Sequence, residues 1–552
     1  MPSQASALGI TPKHSGGRLG VAAMRPRRPG PILGPMEETT ITLSLELRLG
    51  DGGISGRATD GSRTPRDFDG WLGLIAAIDS FVPDESIQEE QMTAIDISTD
   101  RAELLRGHIR GRVVAPGDGA WDSARQAYNL TVDQRPALIA FPADVDDVAA
   151  VVRFAAANGL RVAAQRTGHN AAPLGDLADT LLLRTDELQG FTIDASARRA
   201  RVAAGTKWAD VVPQASELGL AVLHGSTPDV SIAGYSLGGG MGWYARKWGL
   251  AANSVTAIEL VTADGELRRV DHEHEPELFW ALRGGGGNFG IVTALEFDLY
   301  AVPEVYAGAL FFPFERSGEV LHAWHEWTST VPEEVTSIGR VLQFPPLPLV
   351  PEPVRGKSFA VVEAAYLRSA EDGAELLRPL RDLGPAMDTF AMVPPAGLSE
   401  LHMDPPDPVP YVSEHALLGP LPSNAVDELL AVVGPGSGSP LVSVELRHSA
   451  GALARAADGH GAVASLPGSF VLFGVGAALD PALTAANEEQ LALLEAAAAP
   501  YKAGMYFNFA EEAGSAARFF AADTYRRLQA AKAEYDPDNL FRANHPIEQD
   551  AS

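Results

Sequence analysis

The 552-residue sequence contains no cysteine. Disulfide bonds, thiolate metal sites and thiol nucleophiles are therefore all excluded. The chain also lacks an apolar run near the roughly 20 residues that span a bilayer, so a membrane partner is not expected. Basic residues are few, because 43 Lys and Arg stand against 71 Asp and Glu, for a formal net charge of −28. Such an acidic surface repels phosphate backbones, which disfavours nucleic acid as a partner.

The N-terminal region shows no targeting signal. Residues 1–36 are rich in Pro, Gly, Ser and Arg, a composition typical of disorder. Arg25, Arg27 and Arg28 are surrounded by prolines, and no apolar segment follows them. An export signal is therefore not expected, and we predict a cytoplasmic protein.

A small appended module is predicted next, over residues 37–91. Its elements are a strand at Ile41–Leu47, a glycine-rich turn at Gly50–Gly53 and a helix at Trp71–Phe81. The sequence of this module indicates no function.

Glycine is concentrated in two short segments, Gly234–Gly242 and Arg283–Gly290, and a third segment, Gln165–Asn170, places a glycine beside His169. Glycine lets the backbone approach a ligand closely, because no Cβ intervenes and positive φ angles are available. Three such segments predict a long, phosphate-bearing ligand that lies across several loops. His169 is a candidate for direct chemistry on that ligand.

The last of these segments contains a G-x-G-x-x-G pattern at Gly285, Gly287 and Gly290. A dinucleotide fingerprint should follow a strand and open a helix. Here Glu277–Leu282 is predicted to be helical and Ile291–Phe297 to be a strand. The order is reversed, and we reject a Rossmann NAD site.

Several motifs together resemble the FAD-binding domain of the vanillyl-alcohol-oxidase superfamily, in its berberine-bridge-enzyme-like branch. The resemblance covers roughly residues 101–548. The matching segments are Arg135–Ile139, Arg166–His169, Ala204–Trp208, Gly234–Gly242, Arg283–Gly290, Tyr506–Phe509 and Tyr535–Asn544. Each segment is weakly specific alone, but their order along one chain is specific.

The resemblance implies an α+β fold with a two-subdomain, PCMH-type FAD-binding domain at residues 101–303. A substrate domain, with an antiparallel sheet backed by helices, is expected at 304–499. Residues 500–548 should return to the FAD domain. The pattern predicts a strand at Leu138–Phe141 and a helix at Asp144–Asn158. Further strands are predicted at Leu160–Ala164, Thr180–Leu183, Phe191–Asp194, Arg201–Ala204, Tyr306–Phe312, Ser337–Gln343, Phe359–Tyr366, Leu441–Leu446 and Ser469–Val475.

The family also implies how FAD is held. A histidine at the position of His169 bonds the flavin 8α-methyl carbon. Some members add a cysteine link, but Thr227 stands at that position, so a single link is expected. Thr167 replaces a glycine common in the family, although it still offers an N–H and a hydroxyl. The other predicted cofactor contacts are Arg166, Gly168, Asn170, Thr227, Gly234, Ser236, Gly238, Gly239, Gly242, Asn288, Gly290, Val292, Asn508 and Asn544.

Tyr506 is the candidate for substrate activation. Hydride removal from a C–H bond requires loss of a proton from the attached OH or NH, and a tyrosine of lowered pKa can accept it. Packing against the flavin is the alternative role. Many family members carry a second tyrosine, where Met241 stands here. Glu445 and His448 are alternative bases or substrate anchors on a predicted strand, where Glu445 shares a face with Arg447 in what could equally be a solvated ion pair.

The resemblance therefore predicts an FAD-dependent oxidase. It would pass a hydride from a C–OH or C–N group of a small organic substrate to covalent FAD, with O₂ as acceptor and hydrogen peroxide as product. A dehydrogenase with another acceptor, or a catalytically idle flavin-binding protein, remains an alternative. No metal is expected, because the pair His272/His274 lies in an acidic exposed loop and the pair His322/His325 lies on an amphipathic helix without convergent carboxylates, so both are read as surface histidines.

Overall fold

The computed structural model describes residues 19–20, 44–50, 53–59, 66–69, 100–346, 350, 352 and 354–549. The chain divides between Asp96 and Ile97 into two units, which are treated separately. The first contains a four-stranded antiparallel sheet. Its strands are β1 (Leu19–Gly20), β2 (Ser44–Gly50), β3 (Gly53–Thr59) and β4 (Arg66–Asp69). Only β1 falls within the segment 1–36 that was predicted to be disordered, and the predicted helix Trp71–Phe81 lies outside the described residues.

The second unit opens with a four-stranded sheet in the order β5-β6-β8-β7. The strands are β5 (Arg112–Val114), β6 (Leu138–Phe141), β7 (Arg161–Gln165) and β8 (Thr180–Arg184). The helix predicted at Asp144–Asn158 is present as Val145–Ala157. It begins after Asp144, because the Asp144 side chain accepts hydrogen bonds from two backbone N–H groups of the first turn. Its apolar face, with Val148 and Val152, is fully buried.

A five-stranded antiparallel sheet follows, in the order β13-β12-β14-β10-β9. Its strands are β9 (Phe191–Asp194), β10 (Arg199–Ala203), β12 (Val255–Val261), β13 (Leu267–Val270) and β14 (Ile291–Asp298). The short strands β11 (Leu220–Ala221) and β15 (Tyr300–Ala301) pair separately. The helices of this region are Trp121–Ala124, Trp208–Glu217, Ile232–Leu237, Ala245–Trp248 and Pro276–Gly285. The last helix precedes β14, so the predicted helix-to-strand order is correct.

A nine-stranded antiparallel sheet contains the remaining strands. They are β16 (Val305–Pro313), β17 (Val335–Gln343), β18 (Ser358–Tyr366), β19 (Met387–Asp388), β20 (Ala391–Val393), β21 (Tyr411–Leu418), β22 (Ser443–His448), β23 (Phe470–Ala477) and β24 (Lys502–Gly504). The helices Ser317–Thr328, Ala370–Arg381, Ser423–Val433 and Pro481–Ala498 accompany it. One sheet face buries an apolar core, in which Gly339 leaves room for the Trp324 indole. The antiparallel sheet backed by helices is as predicted.

The C-terminal segment pairs with the first sheet of this unit. The Val162 backbone exchanges hydrogen bonds with Leu540 and Arg542. Lys532, on the helix Ala522–Tyr535, donates to the carbonyl of Asn288 and pairs with the carboxylate of Asp536. Because Lys532 and Asp536 are both fully buried, this pair joins the segment to the loop before β14. Among the described residues, no helix has the length and apolar character that crossing a membrane requires.

Candidate cofactor and active site

The side chain of His169 lies against a carboxylate and an aromatic ring. Its Nε2 atom is 3.2 Å from both carboxylate oxygens of Asp229. The Tyr128 ring stacks on the imidazole with 3.7 Å between centroids and 26° between planes. The Tyr411 hydroxyl donates to the His169 carbonyl at 3.2 Å. Asp229 and Tyr128 therefore contact the His169 imidazole and Tyr411 holds its backbone, although His169 lies in a loop.

The residues before His169 fix the backbone of that loop. Arg166 donates to the Gly205 carbonyl at 2.8 Å and pairs with Asp186 at 3.0 Å. The Thr167 carbonyl accepts a hydrogen bond from the Tyr128 backbone. Gly168 has φ of +79°, which an L-residue seldom adopts. The Arg166 guanidinium thus makes two contacts within the protein, and its predicted contact with the cofactor stays a prediction.

Three asparagines predicted to bind the cofactor connect separate segments. The Asn544 amide donates to the Asn170 carbonyl. The Asn170 amide lies 3.4 Å from the carbonyls of Phe507 and Asn508, and Asn508 donates to the Tyr235 carbonyl at 2.9 Å. The Oδ1 atom of Asn170 is buried without a hydrogen-bond partner. The structure therefore brings these residues together and leaves one acceptor available.

Several glycines of Gly234–Gly242 are required by the packing of the protein itself. A Cβ at Gly238 would overlap Oδ1 of Asn508, and one at Gly242 would overlap the His224 carbonyl. Gly239 has φ of +122°. These three glycines are required by packing and backbone conformation. In contrast, a Cβ at Gly234 would meet no protein atom within 4 Å, so Gly234 borders open space.

Two further residues that were predicted to contact the cofactor, Ser236 and Asn288, are buried in the protein. Ser236 is 3% exposed, and its carbonyl accepts a hydrogen bond from Gly239. The Asn288 side chain donates to the carbonyls of Gly285 and His545 and accepts from the backbone N–H of Ile547. The Asn288 side chain therefore shapes the loop.

Gly290 and Val292 belong to the entry of β14. A Cβ at Gly290 would press on Leu260 and on the Val261 carbonyl, and Val292 lies in the apolar core. Their side-chain positions therefore face protein, and only their backbone atoms remain candidates for ligand contact.

Thr227, at the position of the family's second link, lies against Asp404. Both the Ser226 and Thr227 hydroxyls donate to Oδ2 of Asp404. Among the described residues, Asp404 lies on the long connection before β21, predicted as part of the substrate domain. A hydrogen bond between the two regions thus occupies the position where other family members carry a thiol.

Tyr506 is buried against the glycine loop. Its hydroxyl accepts a hydrogen bond from Asn508 at 3.2 Å, and the backbones of Gly240 and Met241 also hydrogen-bond to it. Burial raises the pKa of Tyr506, while these donors and the charge of Arg447 act to lower it without reversing the shift. The expectation of a lowered tyrosine pKa is therefore wrong, and Tyr506 is a neutral phenol at neutral pH.

Glu445 and Arg447 share one face of β22, as predicted, but their side chains are only 1% and 14% exposed, so they do not form a solvated pair. Their side chains pair at 2.6 Å, and Oε2 of Glu445 lies 3.0 Å from Nε2 of His402. Burial alone would raise the pKa of Glu445, but Arg447 and His402 hold it well below its usual range. Glu445 is thus an ionised carboxylate that already has two cationic partners.

His448 points away from these residues. Its Nδ1 atom accepts from Arg246 at 2.6 Å, and its ring packs against Phe470. Burial, followed by the charge of Arg246, lowers the pKa of His448 to about 3. His448 is therefore neutral and bound to Arg246, and it is not grouped with Glu445.

Sequence reasoning did not single out Asp229, Tyr128, His402, Asp404 or Glu363. Two of them carried a signal: Glu363 is the one charged residue in an apolar strand, and His402 with Asp404 interrupts a proline-rich connector. A charged residue inside an apolar strand predicts a buried partner. Asp229 and Tyr128 had no comparable signal, because only folding brings them to His169.

The residues of this region suit FAD. An orphaned acceptor on Asn170, open space beside Gly234 and a histidine at the loop next to them provide a polar and sterically permissive surface. A small cleft lies between Gly234–Gly242 and the nine-stranded sheet. Its lining includes Ser226, Met241, Trp243, Ile338 and Arg447.

Comparisons with known protein families agree with this geometry. The model described as FAD binding domain matches residues 136–271, and the model described as berberine and berberine like matches residues 505–548. These two ranges contain His169 and Tyr506 respectively.

Relatives and solved structures extend the match over most of the second unit. The chain is 30% identical over 461 residues to (R)-6-hydroxynicotine oxidase of Paenarthrobacter nicotinovorans, which covers 80% of this chain and 98% of that protein. It is 33% identical over 232 residues to xylooligosaccharide oxidase of Thermothelomyces thermophilus, with coverage of 40% and 47%. Both relatives are named as oxidases, which argues against the catalytically idle alternative.

The crystal structure of 6-hydroxy-D-nicotine oxidase from Arthrobacter nicotinovorans matches with a TM-score of 0.70 and 26% identity, over 80% of this chain and 98% of that one. The sequence motifs, the fold and a relative aligned over nearly its whole length agree. The chain therefore belongs to the berberine-bridge-enzyme-like branch of the vanillyl-alcohol-oxidase superfamily and is an FAD-dependent oxidoreductase.

Proposed function

We propose that this protein is an oxidase that holds FAD through one covalent bond to His169. In this proposal it oxidises a C–OH or C–N group of a small organic substrate and delivers the electrons to O₂, giving hydrogen peroxide. The observation that carries the proposal is the convergence of the His169 loop, the glycine loop and the Tyr506 segment. Asn170 and Asn508 hold these three segments together.

The single link is supported by composition and by contacts. The chain has no cysteine, and the Thr227 hydroxyl is engaged with Asp404. His169 alone among the predicted cofactor residues offers a nucleophilic ring nitrogen. Bound FAD would accept the hydride at its ring and pass the electron pair to an acceptor. The residues around it would bind, orient and shield the substrate.

Tyr506 is proposed to take the substrate proton. Three N–H donors directed at its oxygen, and the charge of Arg447 nearby, are the contacts that stabilise a phenolate. Burial opposes ionisation, so we propose that the phenolate forms at alkaline pH. The Glu445 carboxylate is the alternative acceptor, but its cationic partners make it a weak base.

The substrate class is supported by the relatives alone. One is named for hydroxynicotine and another for xylooligosaccharides, so both C–N and C–OH donors are represented. The cleft is lined by the Arg447 guanidinium and by apolar side chains such as those of Trp243 and Ile338, which favours a substrate with one polar end. The cytoplasmic location stays a prediction from sequence.

The test is a screen of secondary amines, alcohols and sugars for bleaching of the bound flavin without O₂, followed by admission of O₂. We expect bleaching by at least one compound, then rapid recovery of the flavin colour with one hydrogen peroxide formed per turnover. Recovery only with a quinone or dye would identify a dehydrogenase. Acid precipitation of parent and His169→Ala protein tests the link, because only the parent should keep its yellow colour in the pellet.

A further inference from the structure

The contact between His169 and Asp229 has a chemical consequence. Asp229 meets the imidazole only at Nε2, with both carboxylate oxygens at 3.2 Å. Within the described residues, Nδ1 of His169 forms no hydrogen bond, and the imidazole is the one polar side chain at hydrogen-bond distance from the Asp229 carboxylate. The two side chains are 24% and 14% exposed, so this contact is partly shielded from solvent.

A carboxylate at one ring nitrogen determines the tautomer of a neutral histidine. The nitrogen that faces it carries the proton, and the other keeps its lone pair. The contact with Asp229 therefore favours the tautomer of neutral His169 that has the proton on Nε2 and the lone pair on Nδ1. A carboxylate in this position also stabilises the imidazolium that forms when the other nitrogen makes a bond.

Tyr128 and Tyr411 restrict the same imidazole. Tyr128 is 6% exposed, and its hydroxyl donates to the Pro405 carbonyl at 2.6 Å, so the ring that stacks on His169 is itself fixed. Tyr411 holds the His169 backbone. A half-turn of the imidazole about its Cβ–Cγ bond would place Cε1 where Nε2 stands and so would break the Asp229 contact, and the stacked Tyr128 ring opposes the tilted orientations in between.

We infer that Asp229 is a positioning residue for covalent attachment of the flavin, and that the bond is made by Nδ1 of His169. This inference rests on the proposed covalent link. It adds two claims to that link: which nitrogen of His169 forms the bond, and that attachment depends on the Asp229 carboxylate.

Covalent attachment replaces one C–H bond of the flavin with a bond to His169. A bond forms between Nδ1 and the 8α carbon, and one C–H bond of that carbon breaks. Two protons leave, one from the 8α carbon and one from Nε2 after the ring has become cationic. The electron pair of the broken C–H bond passes through the flavin to O₂, the acceptor of the proposed function, which becomes hydrogen peroxide. Asp229 assists by holding Nε2–H and by stabilising the transient positive charge of the ring.

The experiment compares full-length parent, Asp229→Asn and Asp407→Asn proteins. Asp407 is exposed, and its charge acts on Tyr128 without contact to His169, so its variant controls for loss of one negative charge nearby. Each protein is produced under riboflavin limitation and mixed with FAD in air. Covalent flavin is followed with time by denaturing-gel fluorescence, total flavin by absorbance, and the attachment nitrogen by NMR of the isolated flavin peptide.

We expect the parent and Asp407→Asn to attach flavin at equal rates through Nδ1. Asp229→Asn should bind FAD but attach it about 10²- to 10⁴-fold more slowly, the range of general acid–base and tautomer effects, and any product should include the Nε2 isomer. A role in folding alone would lower total flavin without changing the nitrogen.

Three outcomes separate the inference from the proposed function. Absence of covalent flavin in the parent would refute the proposed link itself. A covalent parent joined through Nε2, or an Asp229→Asn protein that attaches flavin at the parental rate through Nδ1, would overturn the inference alone. If Asp229→Asn binds no FAD, the inference is decided by which His169 nitrogen carries the flavin in the parent protein.

Discussion

The Nδ1 atom of His402 lies 2.7 Å from Oε2 of Glu363, and neither side chain reaches the surface. Glu363 also pairs with Arg340 at 2.5 Å, on the neighbouring strand β17. Through Nε2, His402 reaches Glu445 and, at 3.8 Å, Asp404. With Arg447, these residues comprise three carboxylates, two guanidinium groups and one imidazole, so a protonated His402 makes the group neutral.

This charge balance predicts a large effect of Glu363→Gln. The substitution leaves Arg340 and His402 buried with one carboxylate fewer, and breaking a buried pair typically costs about 3–5 kcal/mol. We expect a clearly lower urea midpoint. Glu333→Gln is the control, because Glu333 pairs with Arg455 at the surface, where such pairs contribute little. Equal midpoints for the two variants would show that the buried group does not stabilise the fold.

His402 should make the stability of the protein depend on pH. Burial and Arg340 lower the pKa of His402, but Glu363, Glu445 and Asp404 together raise it to about 9. Since an unfolded histidine titrates near 6.5, protonated His402 stabilises the fold fully below about pH 6.5, and this is lost as pH rises through about 9. The loss should be roughly 3 kcal/mol.

The measurement for His402 is the urea midpoint between pH 6 and 10. The parent should lose stability progressively between about pH 6.5 and 9, and His402→Gln, although less stable, should show a flatter profile there. Parallel profiles for the two proteins would assign the pH dependence to other groups.

Local elements of this fold could be predicted because their signals are local. The apolar run Leu138–Phe141 and the alternating run Phe191–Asp194 have the predicted bounds. The helix Val145–Ala157 begins after a capping aspartate, which its sequence shows directly. The periodicity of strands and helices depends on residues that are neighbours in sequence, so it can be recognised without knowledge of the fold.

The site was predicted less completely, because its contacts join distant parts of the chain. Asp229 meets His169 from 60 residues away, and His402 reaches Glu363 across 39 residues. Neither contact leaves a periodic pattern. Gly238 shows a related limit: a dense glycine cluster indicates close approach, but the sequence does not reveal that Asn508 is one of the neighbours, and the predicted cofactor contact of Gly238 stays a prediction.

Tyr506→Phe should slow reduction of the flavin by substrate about 10²- to 10⁴-fold, the usual contribution of a general base. The ring that packs on the glycine loop is kept, so the flavin content should hold. Because burial raises the pKa of Tyr506, the parental rate should still be rising at the most alkaline pH at which the protein stays folded. Stopped-flow reduction rates against pH provide the measurement, and the variant should lack this rise. If the reduction rate of the parent instead reaches a plateau near neutral pH, Glu445→Gln becomes the variant to measure.

Deletion of residues 1–91 should leave FAD incorporation and thermal unfolding of the remaining chain nearly unchanged. The reason is that the described strands β1 to β4 pair only with one another. Flavin absorbance per protein and the thermal midpoint, measured on parent and truncated chain side by side, test this. Insoluble or flavin-free truncated protein would show that the segment stabilises the rest.

Gly234 and Gly238 form a matched pair for the cofactor surface. Gly234→Ala adds a methyl group where no protein atom lies within 4 Å, and in the helix Ile232–Leu237 alanine is favoured over glycine by about 0.5–1 kcal/mol. If that space receives FAD, this variant should keep or raise its thermal midpoint while losing flavin. Gly238→Ala should instead lose both, because its methyl group overlaps Asn508. The ratio of flavin to protein and the thermal midpoint are measured for each, and a Gly234→Ala protein with full flavin content would show that Gly234 does not face the cofactor.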